Sequence, residues 1–167
     1  MTQVNPTRSL PGSTRMLPEP GHHFVTRVVG SSDLRVFPLA LSGNIFGWTA
    51  DDAVTASILD TFADGGGNFV DTADSYASGR SELMIGKWMR TRRNRDQIVV
   101  ATKVGKSRDN PGMGAGAIKR SVDASLARLG TSHLDLLYLH VDDESVDFDE
   151  TLLAVDELIG EGKVRYF

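Results

Sequence analysis

Four side chains that can exchange protons lie at or just after the ends of successive apolar runs. Asp71 ends the first of these runs, Lys103 the second and His140 the third, and Tyr76 follows Asp71 closely. Apolar runs that alternate with amphipathic segments are typical of parallel strands in βαβ units, whose carboxyl ends meet at one face. The pattern therefore predicts one cleft that holds an Asp, a Tyr, a Lys and a His, a set able to perform acid–base chemistry.

The segments that must position these residues alternate between strand and helix patterns. A β-hairpin is predicted over 24–29 and 34–37, and a buried strand over 39–42 leads into a loop that contains Gly43 and Asn44. The remaining strands are predicted over 68–72, 98–104, 134–139 and 164–167. The chain therefore reads as an α/β protein with four βα units and the beginning of a fifth strand.

Four helices are predicted between these strands. The first begins in a capping pattern at 49–52 and stops at the glycines 65–67, and the third ends before Gly130. The second covers about 81–92 and the fourth about 149–160. The apolar residues expected on the inner faces are Val54, Ile58, Leu59, Phe62, Leu83, Ile85, Trp88 or Met89, Ile118, Val122, Leu126, Leu129, Leu152, Val155, Leu158 and Ile159.

Composition limits the class of protein. The chain has 167 residues, of which 40% are hydrophobic, enough for a real core. A net charge of −4 does not suggest a nucleic-acid partner, and no apolar run approaches the ~20 residues of a membrane span. The lack of cysteine is compatible with the cytoplasmic location that we expect. Residues 1–22, proline-rich and polar, are interpreted as a flexible tail, and 23–167 as the folded part.

Other patterns favour structural interpretations. The candidate metal ligands are four acidic residues, Asp74, Glu82, Asp142 and Asp143. No His or Cys accompanies them at ligand spacing, so a metal site is not expected. The glycines 65–67 lie after a helix and before a strand, the wrong order for a dinucleotide-binding loop. Arg90, Arg92 and Arg93 are interpreted as a solvated helix end rather than a phosphate site. Trp48 either lines a substrate mouth or packs on the following helix.

The chain from about residue 24 to 167 resembles the aldo-keto reductase family, through six short segments that occur in the family's order and spacing. They are Leu34-Arg35-Val36-Phe37-Pro38-Leu39-Ala40-Leu41, Phe69-Val70-Asp71-Thr72-Ala73-Asp74-Ser75-Tyr76, Ser81-Glu82 with Ile85-Gly86, Ala101-Thr102-Lys103-Val104, Leu137-Tyr138-Leu139-His140, and Gly162-Lys163-Val164-Arg165-Tyr166. The resemblance implies a (β/α)8 barrel of the TIM type, closed at the bottom by the hairpin, and reduction of aldehydes and ketones with NADPH.

The resemblance places the family's catalytic tetrad on Asp71, Tyr76, Lys103 and His140. The pKa of free tyrosine is about 10, so tyrosine needs a neighbouring cation to act as an acid at neutral pH. Lys103 would stabilise the tyrosinate that Tyr76 leaves, Asp71 would keep Lys103 charged and oriented, and neutral His140 would orient the carbonyl. For the cofactor, NADP, the expected contacts are Gly43, Asn44 and Asp71.

Two departures from the family accompany the resemblance. Val141-Asp142-Asp143 follows His140, where the family often has an aromatic residue or Arg and then Pro, which affects the substrate-side rim. A closed barrel needs ~250 residues, so about half a barrel is present, without the family's main cofactor contacts beyond its fifth strand. The 167-residue chain alone is therefore expected to be inactive, and its half-barrel edges to favour association of two copies.

Two rival classes remain to be separated from a reductase that acts on a small carbonyl substrate. A non-catalytic half-barrel could serve as a binding or assembly subunit, because a fold alone does not prove turnover. Another barrel enzyme, such as a sugar isomerase or a glycosidase, would need metal ligands or paired carboxylates at the strand ends, which the sequence lacks.

Overall fold

The computed structural model describes residues 25–167, in which short strands and longer helices alternate. The strands are β1 (Arg27–Val28), β2 (Arg35–Val36), β3 (Leu41–Ser42), β4 (Phe69–Asp71), β5 (Val99–Val104), β6 (Leu134–Leu139) and β7 (Val164–Tyr166). The helices are α1 (Asp52–Asp64), α2 (Arg80–Arg92), α3 (Ala115–Leu129) and α4 (Phe148–Gly160), with 3₁₀ turns at Tyr76–Gly79 and Arg95–Gln97. The predicted tail of residues 1–22 lies outside the described residues.

Five parallel strands form the main sheet in chain order, β3-β4-β5-β6-β7. Asp71 lies opposite Ala101, and Lys103 lies opposite Tyr138, so the pairing continues to the carboxyl ends of the strands. Within residues 25–167, β3 and β7 each pair on one side only, and the sheet is not closed. The architecture is therefore the predicted α/β type, consistent with part of a (β/α)8 barrel.

The main core lies between the sheet and the layer of helices. Its fully buried strand residues include Val70, Val100 and Leu137, and helices α1 to α4 contribute Leu59, Ile85, Ile118, Leu129 and Leu158. A smaller cluster lies on the opposite face of the sheet, where Leu34 packs with Ala101 and Leu136. This second cluster is the inside of the partial barrel, and the β1–β2 hairpin covers its lower end.

Hydrogen bonds and ion pairs fix the hairpin to the bottom of the sheet. The Asn68 side chain accepts from the Phe37 N–H at 2.7 Å and donates to the Arg35 carbonyl at 2.9 Å. Arg165 on β7 contacts Asp33 of the hairpin at 2.9 Å and buried Asp135 at 2.9 Å. The bottom of the partial barrel is therefore closed by contacts between the two ends of the described chain.

Four predicted inner-face residues are half exposed, which corrects the helix patterns. Val54, Leu83, Leu152 and Ile159 are 48%, 48%, 36% and 39% exposed. On α2 the reason is that Ser81 and Glu82 are fully buried in a polar network, which rotates the inner face away from Leu83. Both Trp88 and Met89 are buried, where the sequence pattern left a choice between them. Hydrophobic spacing alone therefore mispredicts the buried face of a helix when polar residues are buried on that face.

Gly86 lies where the backbone of α2 packs tightly against that of α3. A Cβ on Gly86 would lie 2.4 Å from the Leu129 carbonyl oxygen and 2.7 Å from that of Arg128. Gly86→Ala is therefore expected to lower the free energy of unfolding by about 1–3 kcal/mol, because backbone atoms must move apart. Urea unfolding measures this. Gly160→Ala is the control, since its Cβ would meet nothing within 4 Å, and an equal loss there would contradict the steric argument.

Candidate active site

The structure brings together the four side chains that the sequence singled out. Asp71 is the last residue of β4, Lys103 is near the end of β5, and His140 follows β6 directly. Tyr76 begins the 3₁₀ turn on the loop between β4 and α2. All four therefore lie at the carboxyl ends of the parallel strands, the face on which barrel enzymes carry their active sites.

Lys103 is the centre of this group. Its Nζ donates to both carboxylate oxygens of Asp71 at 2.7 Å, to the Thr72 carbonyl at 2.9 Å and to the Tyr76 hydroxyl at 3.3 Å. The two charged side chains are largely enclosed, with exposed fractions of 18% for Lys103 and 22% for Asp71. Charge-assisted hydrogen bonds of this kind are shorter and stronger than neutral ones, so the ammonium is held in one position.

Tyr76 lies between Lys103 and His140. The Tyr76 and His140 rings meet edge to face, with centroids 5.9 Å apart and planes at 79°. The Lys103 Nζ is 4.9 Å from the centroid of the Tyr76 ring. The Tyr76 hydroxyl thus contacts a cation and the Tyr76 ring contacts an imidazole, surroundings that suit a group that gives up a proton.

His140 is in an environment that favours its neutral form. Burial lowers the pKa of His140, and the Lys106 and Lys103 ammonium groups lower it further, while the Asp71 carboxylate opposes them. Its Nδ1 is buried without a hydrogen-bond partner among the described residues. The protonated ring carries an N–H at both nitrogens, so the N–H at buried Nδ1 would have no acceptor there. The neutral imidazole is therefore favoured near pH 7.

NMR titration of His140 is expected to show a midpoint below its ordinary pKa of 6.5. The folded state then binds this proton more weakly than the unfolded chain does. The contribution of His140 to the free energy of unfolding is therefore present above pH 6.5 and is lost as the pH falls below 6.5 through the lowered pKa. Lys106→Gln should raise the midpoint. Lys87→Gln is the control, because Lys87 pairs with Asp52 on the outer helices, and an unchanged midpoint in both variants would contradict the electrostatic cause.

A buried polar network supports the loop that carries Tyr76. The hydroxyls of Thr72 and Ser81 are 2.8 Å apart, and Ser81 Oγ donates to the Gly43 carbonyl at 2.8 Å. Glu82, fully buried, accepts from the Thr102 hydroxyl at 2.7 Å and from Arg128 at 2.6 Å. These contacts join the ends of β3, β4 and β5 to α2 and α3, so the strand ends that carry the site are fixed to the helices.

The predicted cofactor residues have different surroundings. Gly43 is buried, its N–H donates to the Asp71 carbonyl at 2.7 Å, and a Cβ there would lie 2.7 Å from Ser81 Oγ. Its role in the fold is therefore close packing, while Asn44 beside it is exposed. Contact of either residue with a cofactor stays a prediction.

An open cavity of about 570 Å³ lies on the inner face of the sheet, where Asp71 and Lys103 are two of the residues that line it. Its lining is Ala40, Ser42, Phe69, Asp71, Lys103, Tyr138 and Leu139. Within the described part of the chain, no cluster of three or more His, Cys, Asp or Glu side chains could hold a metal ion. In the same residues no helix is both long and apolar enough to cross a membrane.

Sequence reasoning missed how some neighbouring polar residues are used. From the sequence, Glu82 has only a place in a family segment and in a rejected metal site, yet it pairs with Arg128 in the interior. The same holds for Asp74, which is 2% exposed and contacts the end of β5. The sequence does contain one indication of this network. Ser81 and Glu82 lie one helical turn before Ile85, so polar residues share the face of α2 that carries buried apolar ones.

Parallel strands in chain order, helices on one face and a lysine-centred acid–base cluster at the strand ends define a partial barrel with an active-site-like cleft. The family model "Aldo/keto reductase family" matches residues 40–167. The chain therefore belongs to the aldo/keto reductase family.

Two curated proteins illustrate the sequence similarity. The chain is 41% identical over 154 residues to norsolorinic acid reductase B of Aspergillus parasiticus, covering 81% of this chain and 40% of that protein. It is 34% identical over 177 residues to aryl-alcohol dehydrogenase GME11368 of Pestalotiopsis microspora, covering 96% and 43%. The chain thus spans less than half the length of these curated relatives.

A solved structure has the same arrangement. The holo form of aldo-keto reductase AKR11C1 from Bacillus halodurans matches with a TM-score of 0.78 and 34% sequence identity. The match covers 86% of this chain and 49% of that one. The fold described here therefore corresponds to about half of a known reductase.

Proposed function

We propose that this chain supplies the catalytic half of an NADPH-dependent reductase that converts small aldehydes or ketones to alcohols. The observation that carries the proposal is the position of Lys103 Nζ, which donates to Asp71 at 2.7 Å and to the Tyr76 hydroxyl at 3.3 Å. An ammonium fixed against a tyrosine hydroxyl is the arrangement that a tyrosine acid needs near neutral pH.

In this proposal Tyr76 gives its hydroxyl proton to the substrate carbonyl oxygen. The reduced nicotinamide, when bound, supplies the hydride to the carbonyl carbon. Tyr76 is left as a tyrosinate, whose negative charge the Lys103 ammonium stabilises at 3.3 Å. Asp71 balances the lysine charge before the reaction and keeps Nζ oriented toward the tyrosine.

His140 orients the substrate in this proposal. Its lowered pKa keeps the ring neutral, so it can donate one N–H to the carbonyl oxygen without adding a charge. The edge-to-face contact between the His140 and Tyr76 rings supports the proposal that both side chains reach the same carbonyl oxygen. Two donors then converge on the oxygen that gains charge during reduction.

The residues present fit one end of a nicotinamide cofactor. The cavity of about 570 Å³ combines the apolar Phe69 and Leu139 with the polar Ser42 and Asp71, a lining suited to a flat amide-bearing ring and its ribose. In the proposal, Asp71 and exposed Asn44 contact this end of NADPH. The choice of NADPH over NADH and the cytoplasmic location expected from the sequence are parts of the same proposal.

A second candidate is a half-barrel that acts by assembly. It is favoured by the sheet edges at β3 and β7, which have one partner each among residues 25–167, and by Tyr138, 41% exposed on the inner face. Unpaired strand edges promote pairing with another chain. A sample of residues 1–167 alone is expected to dimerise or aggregate, which light scattering measures.

The two candidates separate in one comparison. The "completed barrel" is here residues 1–167 followed by the part of A. parasiticus norsolorinic acid reductase B that lies C-terminal to the matched region. We expect aldehyde-dependent NADPH oxidation by the completed barrel and little by residues 1–167 alone, which should also bind NADPH weakly. A stable monomer of residues 1–167 that binds NADPH tightly would contradict this division, and an inactive but folded completed barrel would favour the assembly role.

A further inference from the structure

Asp74 is a buried carboxylate that the proposed reaction does not use. It is 2% exposed and lies on the loop between β4 and Tyr76. Its backbone N–H donates to the Lys103 carbonyl at 3.0 Å, and its Oδ2 accepts from the Gly105 N–H at 3.3 Å. Asp74 therefore contacts β5 on both sides of Val104, which joins the tyrosine loop to the strand that carries the lysine.

The charge of Asp74 is poorly compensated. Its Oδ1 is buried without a hydrogen-bond partner among the described residues. Burial raises the pKa of Asp74 to about 6, Glu82 raises it too, and Arg128 together with the N–H groups of Gly105 and Ser107 lowers it. Arg128 is already paired with Glu82 at 2.6 Å, so one guanidinium faces two carboxylates.

Further charged groups lie around the neighbouring cavity. It has a volume of about 360 Å³, and its lining includes Lys106, Arg108, Asp109 and Arg128 besides Asp74. Lys106, Arg108 and Asp109 are exposed, so water screens their effect on the carboxylate. The nearest strong influences are therefore the buried Glu82 and its partner Arg128.

The loop next to Asp74 needs external support. Ala77 and Ser78, directly after Tyr76, have φ of 49° and 58°, in the left-handed region that non-glycine residues rarely adopt. Such backbone persists only where surrounding contacts hold it. The Tyr76 N–H bonds within the loop, to the Ala73 carbonyl at 3.2 Å, so besides the Lys103 side chain it is Asp74 that links this loop to β5.

We propose that Asp74 is a positioning residue that aligns the Tyr76 loop with Lys103 through the Gly105 N–H, and that its protonation loosens this alignment. As a carboxylate it is a strong acceptor for that N–H, and as a neutral acid it is a weaker one. The inference rests on the proposed function, in which Tyr76 is the acid. It adds a pH response on the acid side of neutrality, in which the alignment weakens as pH falls through about 6.

Protonation of Asp74 weakens the local alignment but raises the free energy of unfolding, because the loosened loop loses the Gly105 hydrogen bond with the carboxyl group still buried, whereas unfolding exposes it to water. The folded state holds the Asp74 proton more tightly than the unfolded chain, whose value is 3.8. Asp74 therefore makes its full contribution to stability below 3.8 and loses it as pH rises toward about 6. Asp74→Asn removes this dependence, so the variant should gain thermal stability relative to the parent between these pH values.

Amide hydrogen exchange in the completed barrel tests the alignment without any need for activity, because exchange requires only a folded chain. Mass spectrometry would follow the peptide that carries 73–80 in the parent, Asp74→Asn and Asp74→Ala, on both sides of the Asp74 pKa of about 6. Above it, Asp74→Ala should exchange roughly tenfold faster than the parent, and Asp74→Asn, a neutral acceptor like the protonated acid, should lie between the two. Below it, the parent should approach Asp74→Asn, while neither variant should move once each rate is divided by the intrinsic exchange rate at that pH.

Asp109→Asn is the control, since it removes an exposed carboxylate from the neighbouring loop. Equal exchange in Asp74→Ala and the parent, or a parent response to pH that persists in Asp74→Asn, would overturn the proposal. In the completed barrel, Asp74→Ala should lower kcat roughly tenfold with little change in KM, because small misplacements of a reacting group are costly. An inactive parent barrel would count against the proposed reductase, whereas the exchange result judges Asp74 alone.

Discussion

Tyr76→Phe in the completed barrel is expected to lower kcat by roughly 10²–10⁴-fold, the usual contribution of a general acid. The variant removes one oxygen, which contacts Lys103 Nζ at 3.3 Å, and keeps the ring that meets His140 edge to face. Its fold and its affinity for NADPH should therefore change little. Turnover of a small aldehyde, followed by NADPH absorbance, measures the loss.

Tyr166→Phe is the matched control for this prediction. It removes the same hydroxyl at the bottom of the sheet, where the Tyr166 oxygen accepts from the Asp33 N–H at 3.3 Å. Its kcat should remain near that of the parent. Full activity in Tyr76→Phe would remove Tyr76 from the role of proton donor, and equal losses in both variants would indicate a general effect on folding.

Lys103→Met should abolish most carbonyl reduction and change the pH dependence of what remains. The substitution keeps an unbranched apolar stem but removes the cation that contacts Asp71 and Tyr76. The tyrosinate left after proton transfer then has no counter-charge, and the half-buried Asp71 loses its partner. kcat and KM measured across pH would show a large fall in kcat, in the range of 10²–10⁴-fold if the acid no longer works.

Two further variants separate charge from structure at this position. Lys103→Arg keeps a positive charge, yet its planar guanidinium cannot copy the contacts of a compact ammonium, so partial activity is expected. Lys119→Met removes a lysine that pairs with Glu157 on the helical surface, and its kinetics should match those of the parent. A parental rate and pH profile in Lys103→Met would make Lys103 structural and the acid–base account wrong.

The strand ends and the candidate site could be predicted because they rest on local patterns. Asp71, Lys103 and His140 each follow an apolar run, and parallel pairing in chain order brings such positions together. The contact between Lys103 and Tyr76 could be expected for the same reason, since Tyr76 lies on the loop that continues β4. Family resemblance then assigned the roles, which geometry supports and experiments on Tyr76 and Lys103 test.

The polar interior could not be read from hydrophobic periodicity. Glu82 on α2 can be fully buried because two side chains that are distant in sequence bind it. They are Arg128 on α3 and Thr102 on β5. The short hydrophobic runs also did not show that Leu83 faces outward, since that depends on which polar residues are satisfied inside. Side chains so far apart in sequence meet only in the assembled fold, so a local sequence pattern does not reveal that they pair.

The pairing of Asp33 with Arg165 has a consequence for synthesis on the ribosome. The two residues are 132 positions apart in the chain, and the Asp33 N–H also donates to the Tyr166 hydroxyl, 133 positions away. At typical translation rates of about 5–20 residues per second, Asp33 waits on the order of ten seconds for these partners. Until then the hairpin that covers the inside of the sheet has neither its ion pair nor its tyrosine contact. Late in that period, after Leu136 has been made and before Arg165 and Tyr166 arrive, the apolar cluster around Ala101 and Leu136 lacks these contacts at its lower end.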